Sequence, residues 1–186
     1  MKNASGYSLI EILTVLTLLG ILAGIAVPRI DVTYYRMNSA MQTVSSSLLA
    51  AQRSAVQEQH NVVVAFEDDG GRFRVHEDAN NNLVMDAGEV VRMDSLGTGV
   101  RFGLGGAASR FATSEAVSFS YEQAGWPAVV FYRNGSASAE GGFHMTSLRA
   151  MTSSEYTRDT RAMVIERSTG RPTWYRYTTS GWEQGT

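Results

Sequence analysis

The stretch Gly6-Tyr7-Ser8-Leu9-Ile10-Glu11, with the apolar run from Ile12 to Val27 behind it, decides how the rest of the chain is read. From Tyr7 to Val27 the only charged side chain is Glu11. A helix over this run would be roughly 30 Å long at ~1.5 Å per residue. That matches a bilayer hydrocarbon core of about 30 Å. The run is rich in Leu and Ile, has no internal Pro, and starts behind a single Lys2.

Two processing patterns fit an apolar N-terminus. A secretory signal peptide has an apolar region of about 7–15 residues followed by small residues at the cleavage site. Ala23-Gly24-Ile25-Ala26 can imitate such a site. Glu11 fits that pattern poorly. A carboxylate within a membrane span costs roughly 2.5–3.5 kcal/mol on insertion scales unless it meets a partner or the interface. A signal peptide gains nothing from it.

The layout resembles the class III, or prepilin, signal. Gly6 ends a short basic leader, Tyr7 stands where the family usually has Phe, and Ser8 where it has Thr. Counted from Tyr7, Glu11 is the fifth residue and Pro28 the twenty-second. The resemblance implies cleavage between Gly6 and Tyr7 by a prepilin peptidase and N-methylation of Tyr7. It also implies that Glu11 pairs with the N-terminal ammonium of a neighbouring subunit. The expected partners are other pilin or pseudopilin subunits, the peptidase, an inner-membrane assembly platform and membrane lipid. The expected location is the bacterial inner membrane, crossed once, with the globular part periplasmic or extracellular in an assembled filament.

The length of 186 residues allows one domain beyond such a helix. The chain has no Cys, so no disulfide staples that domain and no thiolate binds metal. A formal net charge of −2 supplies no global basic field to recruit nucleic acid.

Past Pro28, Met37, Met41, Val44, Leu48, Ala51 and Ala55 recur at spacings of three and four, which is one apolar stripe of an amphipathic helix. The helix is expected to run to about Glu58 and to end near His60-Asn61, with a bend just before Pro28. The reading therefore divides the chain into a leader (1–6), a transmembrane and assembly half of the helix (7–28), an amphipathic half (29–60) and a β-rich globular domain (61–186).

After Asn61 the period changes. Val62 to Phe66 and Arg72 to His76 flank the turn Asp69-Gly70-Gly71 and predict a hairpin. Further strands are expected at Glu89–Met93, in Leu96–Phe102, and at Val117–Tyr121 and Ala128–Tyr132. Asn134-Gly135 reads as a hairpin turn returning through Gly142–Met145. A last hairpin joins Ala162–Glu166 to Thr173–Tyr177 through Ser168-Thr169-Gly170. Gly103 to Ser114 reads as a mobile loop. The fold class is α+β, a long N-terminal helix packed on an antiparallel β-sheet domain. This order resembles the GspH/FimT-like minor pilins and pseudopilins. The likeness rests on Val130 to Ser136 with Gly141-Gly142, on Leu96 to Phe102, and on Thr169-Gly170-Arg171. It implies a structural subunit of a type IV pilus-like filament or a type II secretion pseudopilus. The alternative within the same frame is a DNA-binding minor pilin.

Two constellations can carry ligand chemistry. Asp78, Asn80, Asn82, Asp86 and Glu89 fall at positions one, three, five, nine and twelve of an EF-type loop, and Ca²⁺ takes six to eight such oxygens. Leu83 stands where that loop needs Gly, which favours a plain turn whose side chains bond their own backbone. Arg171 and Arg176, with Trp174, Tyr175 and Tyr177, offer the basic and aromatic interleaving of single-strand binders. In DNA-uptake relatives a Gly-Arg-x-Arg motif does this work. Here Gly170-Arg171 matches but Thr173 breaks the motif, so an ion-paired sheet face is favoured over a DNA site. No enzyme is expected: the 3 His are scattered, and neither a Gly-x-Ser-x-Gly elbow nor a phosphate-cradling Gly-Lys-Ser/Thr occurs.

Overall fold

The computed structural model describes residues 6–26, 31–68 and 70–185. The chain divides into two compact units, Met1–Val32 and Thr33–Thr186.

The first unit holds helix α1, Leu9–Ala26. Ser8 starts it: its hydroxyl accepts from the Glu11 amide at 3.3 Å, and its carbonyl accepts from Glu11 and Ile12. Ser at the N-cap with Glu three residues later is the sequence pattern of a capping box. The described side chains of α1, from Leu9 to Gly24, are all exposed. Among the described residues no helix is long and apolar enough to cross a membrane. Over its 18 residues α1 spans about 27 Å. The bend expected at Pro28 lies outside the described residues.

The second unit is built on helix α2, Val32–Glu58. It buries Met37, Ala40, Met41, Val44, Leu48, Ala51 and Ala55, the expected stripe with Ala40 added. The helix ends where it was expected to, and Gln59 takes the left-handed conformation (φ 57°) common just past a helix C-terminus.

Two antiparallel sheets follow, where one sheet was expected. The first contains β1 (Asn61–Phe66), β2 (Arg72–Asp78), β3 (Val90–Ser95), β6 (Tyr121–Gln123) and β7 (Trp126–Phe131), in the order β3-β2-β1-β7-β6. The second contains β4 (Val100–Phe102), β8 (Gly141–Ser147), β9 (Arg161–Ile165), β10 (Pro172–Thr178) and β11 (Gly181–Gln184), in the order β11-β10-β9-β8-β4. The short β5 (Val117–Ser118) also pairs with β8. A short helix, α3 (Leu148–Thr152), and a 3-10 helix, Ser154–Asp159, join β8 to β9. These two helices and β11 carry no sequence period long enough to announce them.

The division into two sheets arises at two places. The Asn134-Gly135 turn forms, with the Gly135 amide donating to the Tyr132 carbonyl, but β7 and β8 do not pair as a hairpin. After a single bridge between Phe131 and Ala137, the Ala137 amide donates to Arg167 O and the chain passes to the second sheet. Likewise the expected strand Val117–Tyr121 is split: β5 joins one sheet and β6 the other. Gly141 and Gly142 open β8 because the Ser118 and Met163 carbonyls approach where a Cβ would stand.

The core lies between α2 and the inner faces of both sheets. Phe66 is its centre, with ring centroids 4.8 Å from Phe143, 5.5 Å from Phe102 and 5.6 Å from Phe119. Gln52 of α2 ties both turns to the helix. Its Nε2 donates to Gly135 O at 2.8 Å and also to Thr169 O.

Candidate functional site

Three regions carried the functional expectations. At the first, Gly6 and Tyr7 are exposed at the head of α1, one turn before Glu11. Glu11 lies in the first helical turn, where a carboxylate is favoured by the helix dipole. Around it Leu9, Ile10, Leu13, Leu16 and their neighbours present apolar surface on every side of the helix. A helix apolar all round requires lipid or protein as its surroundings. One carboxylate at the head of such a helix is a polar marker in an otherwise featureless surface.

At the second, the structure brings Asp78, Asn80, Asn82, Asp86 and Glu89 together, and the loop closes on its own hydrogen bonds. Asp78 is buried at the end of β2; its carboxylate accepts from the amides of Asn82 and Leu83, both at 3.0 Å. The Nδ2 groups of Asn80 and Asn82 donate to Asp86 Oδ2 at 2.8 and 2.7 Å, and hold its carboxyl below the usual range. Glu89 accepts from the amides of Ala79 and Asp86 and from His76 Nε2 at 2.7 Å. The Asp86 amide first, then His76, lower the Glu89 pKa.

The objection raised by Leu83 does not stand. Leu83 takes φ 65°, the conformation an EF loop requires there. Tertiary contacts hold it: its carbonyl accepts from Tyr121 Oη at 3.1 Å and Gln123 Nε2 at 3.3 Å. Its side chain, like those of Tyr121 and Trp126, packs against the cluster of Val63, Ala65, Ala128 and Val130 on the outer face of the first sheet. Among the described residues no group of three or more His, Asp or Glu side chains is placed to hold a metal ion. A cation in this loop would have to displace the Asn80 and Asn82 amides from Asp86.

Sequence reasoning missed His76. It is fully buried, with Glu89 on Nε2 and Gln123 Nε2 3.0 Å from Nδ1. Its signal was available in outline, since a hairpin through Gly70-Gly71 puts His76 near the start of the loop.

At the third region, Arg171 is exposed in the turn after Gly170, while Arg176 lies on β10 beside Trp174 and faces α2. Arg176 pairs with Glu183 at 3.2 Å. Other arginines nearby are also committed: Arg149 makes a two-pronged pair with Asp159, and Arg161 is buried, donating to the carbonyls of Arg158 and Thr160. On the opposite face of β10, Tyr175 meets Arg110 of the 104–116 segment, and Tyr177 stands against Trp182 with ring centroids 5.1 Å apart. Within that segment lies most of Gly103 to Ser114, the stretch expected to be mobile, and it is strapped down. Trp182 Nε1 donates to Ala108 O, the Arg110 amide donates to His144 Nε2, and the Arg110 guanidinium lies 3.5 Å from the centre of the Tyr175 ring.

Comparison with known proteins agrees with the N-terminal geometry. The family model "Prokaryotic N-terminal methylation motif" matches residues 1–27, which contain Gly6, Tyr7 and Glu11. The family model "Type II transport protein GspH" matches residues 40–170, from α2 to the turn after β9. No curated protein matches the chain. Among solved structures, the minor pseudopilin EpsH from the type 2 secretion system of Vibrio cholerae matches at 10% identity and a TM-score of 0.41, over 78% of this chain and 92% of that one. A crystal structure of the minor pseudopilin EPSH from the type II secretion system of Vibrio cholerae matches at 15% identity and a TM-score of 0.34, over 77% and 88%. A methylation motif ahead of an apolar helix and a GspH match across most of the globular unit make one reading: the chain belongs to the type II transport protein GspH family.

Proposed function

We propose that α1 serves both as single-pass inner-membrane anchor and as assembly helix, and that Glu11 sets the register between subunits. The observation that carries this is the lone carboxylate of Glu11 at the head of a helix whose described side chains are all exposed and otherwise almost wholly apolar. The apolar run of the sequence continues past the described part of α1 to Val27, which supplies the length for a span.

Cleavage after Gly6 leaves the Tyr7 amine as a new cation. Glu11 stands four positions further on, about 6 Å at the rise of a helix. Within one subunit the two groups sit one turn apart, so a neighbour displaced along the filament axis can bring its amine to this carboxylate. In a low-dielectric setting the pair offsets the desolvation of both charges, and an unpaired Glu11 remains costly. The prepilin peptidase and an inner-membrane platform are the partners this chemistry requires, and the β domain is then periplasmic.

The test is Glu11→Ala in cells that assemble the pseudopilus. Cleavage and membrane insertion are expected to persist, since insertion loses a charge penalty of roughly 2.5–3.5 kcal/mol. Co-purification with other pseudopilins is expected to fall. Unchanged co-purification of the Ala variant would contradict the register role.

A further inference from the structure

The edge of the first sheet is unguarded at β3. This strand has six residues and, among the described residues, no strand pairs with its outer side. Val90, Val91 and Met93 are 58%, 44% and 47% exposed. Natural edges are commonly blunted by Lys, Pro, a bulge or other charges; β3 has no Lys, Pro or bulge, and its charges are Arg92 and Asp94. Its two charges neutralise each other, with Arg92 Nε 3.1 Å from Asp94 Oδ2.

The direction of the main chain follows from one bond. The Leu96 amide donates to Gly71 O, which makes that pair a hydrogen-bonded one in the antiparallel ladder with β2. Pairs alternate along such a ladder. Asp94, Arg92 and Val90 therefore direct their backbone groups at β2, and Ser95, Met93 and Val91 direct theirs outward. The side chains alternate too. Arg92 and Asp94 stand opposite Val75 and Phe73 on the α2 side, where Ser47 Oγ donates to Asp94 at 3.4 Å. Val91 and Met93 stand opposite His76 and Arg74 on the other face.

We propose that β3 pairs antiparallel with β3 of a second copy of this chain, centred on Met93. The outward backbone groups must face one another, which leaves registers that differ by two residues. Centring on Arg92 places the two Arg92 side chains opposite each other. Centring on Asp94 does the same to two carboxylates. Centring on Met93 puts Arg92 of each copy opposite Asp94 of the other, at close non-hydrogen-bonded positions. It also pairs Val91 with Ser95 and Met93 with itself, and each of these pairs exchanges two hydrogen bonds. Like charges directly opposite destabilise a pairing and opposite charges support it. The strand is thus self-complementary in one register, as a two-fold interface demands. This inference concerns the globular unit and does not depend on the role of α1.

The chain has no Cys, so a single introduced thiol reports the contact. The full chain carrying Met93→Cys, in native membranes under mild oxidant, is expected to form a disulfide-linked dimer. The Cα atoms of a hydrogen-bonded pair lie about 5.5 Å apart, within disulfide reach. Val90→Cys is the control, because in this register its two copies are separated by about 20 Å along the strands. Arg92→Glu added to Met93→Cys is expected to reduce the dimer at least tenfold, and Asp94→Arg added to both is expected to restore it. Equal trapping at positions 90 and 93, no dimer at Met93→Cys, a mixed disulfide with another protein in its place, or indifference to Arg92→Glu would each overturn the proposal. Sedimentation velocity of the unaltered chain in detergent gives an independent reading. A concentration-dependent monomer–dimer equilibrium is expected, and a monomer at all concentrations would overturn it.

Discussion

At the scale of single residues, His144 shows how burial sets chemistry in this molecule. It lies on β8 between Phe111 and Trp182, with ring centroids 4.7 and 5.6 Å away. Its Nε2 accepts from the Arg110 amide, so the ring must be neutral for the 104–116 segment to be held. Burial, the largest cause, lowers its pKa from 6.5 to about 4. Between those values the unfolded chain binds a proton that the folded chain does not. The contribution to stability is therefore fully present above pH 6.5 and is lost as pH falls toward 4. The loss amounts to about 3 kcal/mol at most. Urea midpoints measured from pH 7 to 4 are expected to fall more steeply for the parent than for His144→Gln, which keeps an acceptor but does not titrate. Parallel curves would show that His144 carries no such linkage.

At the scale of elements, α2 was the most legible part of the sequence and the Asp78–Glu89 loop the least settled. The α2 stripe follows from a helical period in a chain segment with one buried face, and each expected position is buried. The β1–β2 hairpin follows from a β-branched run, a Gly-Gly turn and an alternating strand. The split of Val117–Tyr121 between sheets, and the passage of the chain from β7 to β8, are set by tertiary pairing that no local period encodes. Leu83 makes the same point in reverse: a rule about intrinsic backbone preference was overridden by Tyr121 and Gln123. For the loop, two outcomes are open to one measurement. Thermal melting with EGTA and with millimolar Ca²⁺ is expected to give the same midpoint, because the loop already satisfies its carboxylates internally. A Ca²⁺-dependent rise that is lost in Glu89→Gln would assign the loop to a metal, with a gain of about 2.7 kcal/mol at a hundredfold excess over the dissociation constant.

At the scale of the whole molecule, the chain is an apolar helix and a globular unit. The N-terminal motif was legible because it is local: a Gly, an aromatic residue, a carboxylate and an apolar run in fixed spacing. The globular unit was legible as α+β, but not as two sheets joined by a shared core of Phe66, Phe102, Phe119 and Phe143. That core depends on α2. Removing residues 1–28 is expected to leave a soluble, folded unit, since the Met37 to Ala55 stripe remains to cover the sheets. Removing residues 1–60 is expected to expose the sheet faces and cause aggregation. Soluble expression and a cooperative melt of the shorter fragment would contradict the place of α2 in the core.

The central claim is that this chain is processed and used as a pilin-like subunit, with everything before Tyr7 discarded. The most direct measurement is the N-terminal mass of the protein recovered from the membrane fraction of cells with an active prepilin peptidase. The account predicts a mature chain beginning at Tyr7 with a methylated amine. A mature chain beginning near Val27, as after ordinary signal-peptide cleavage, would contradict it.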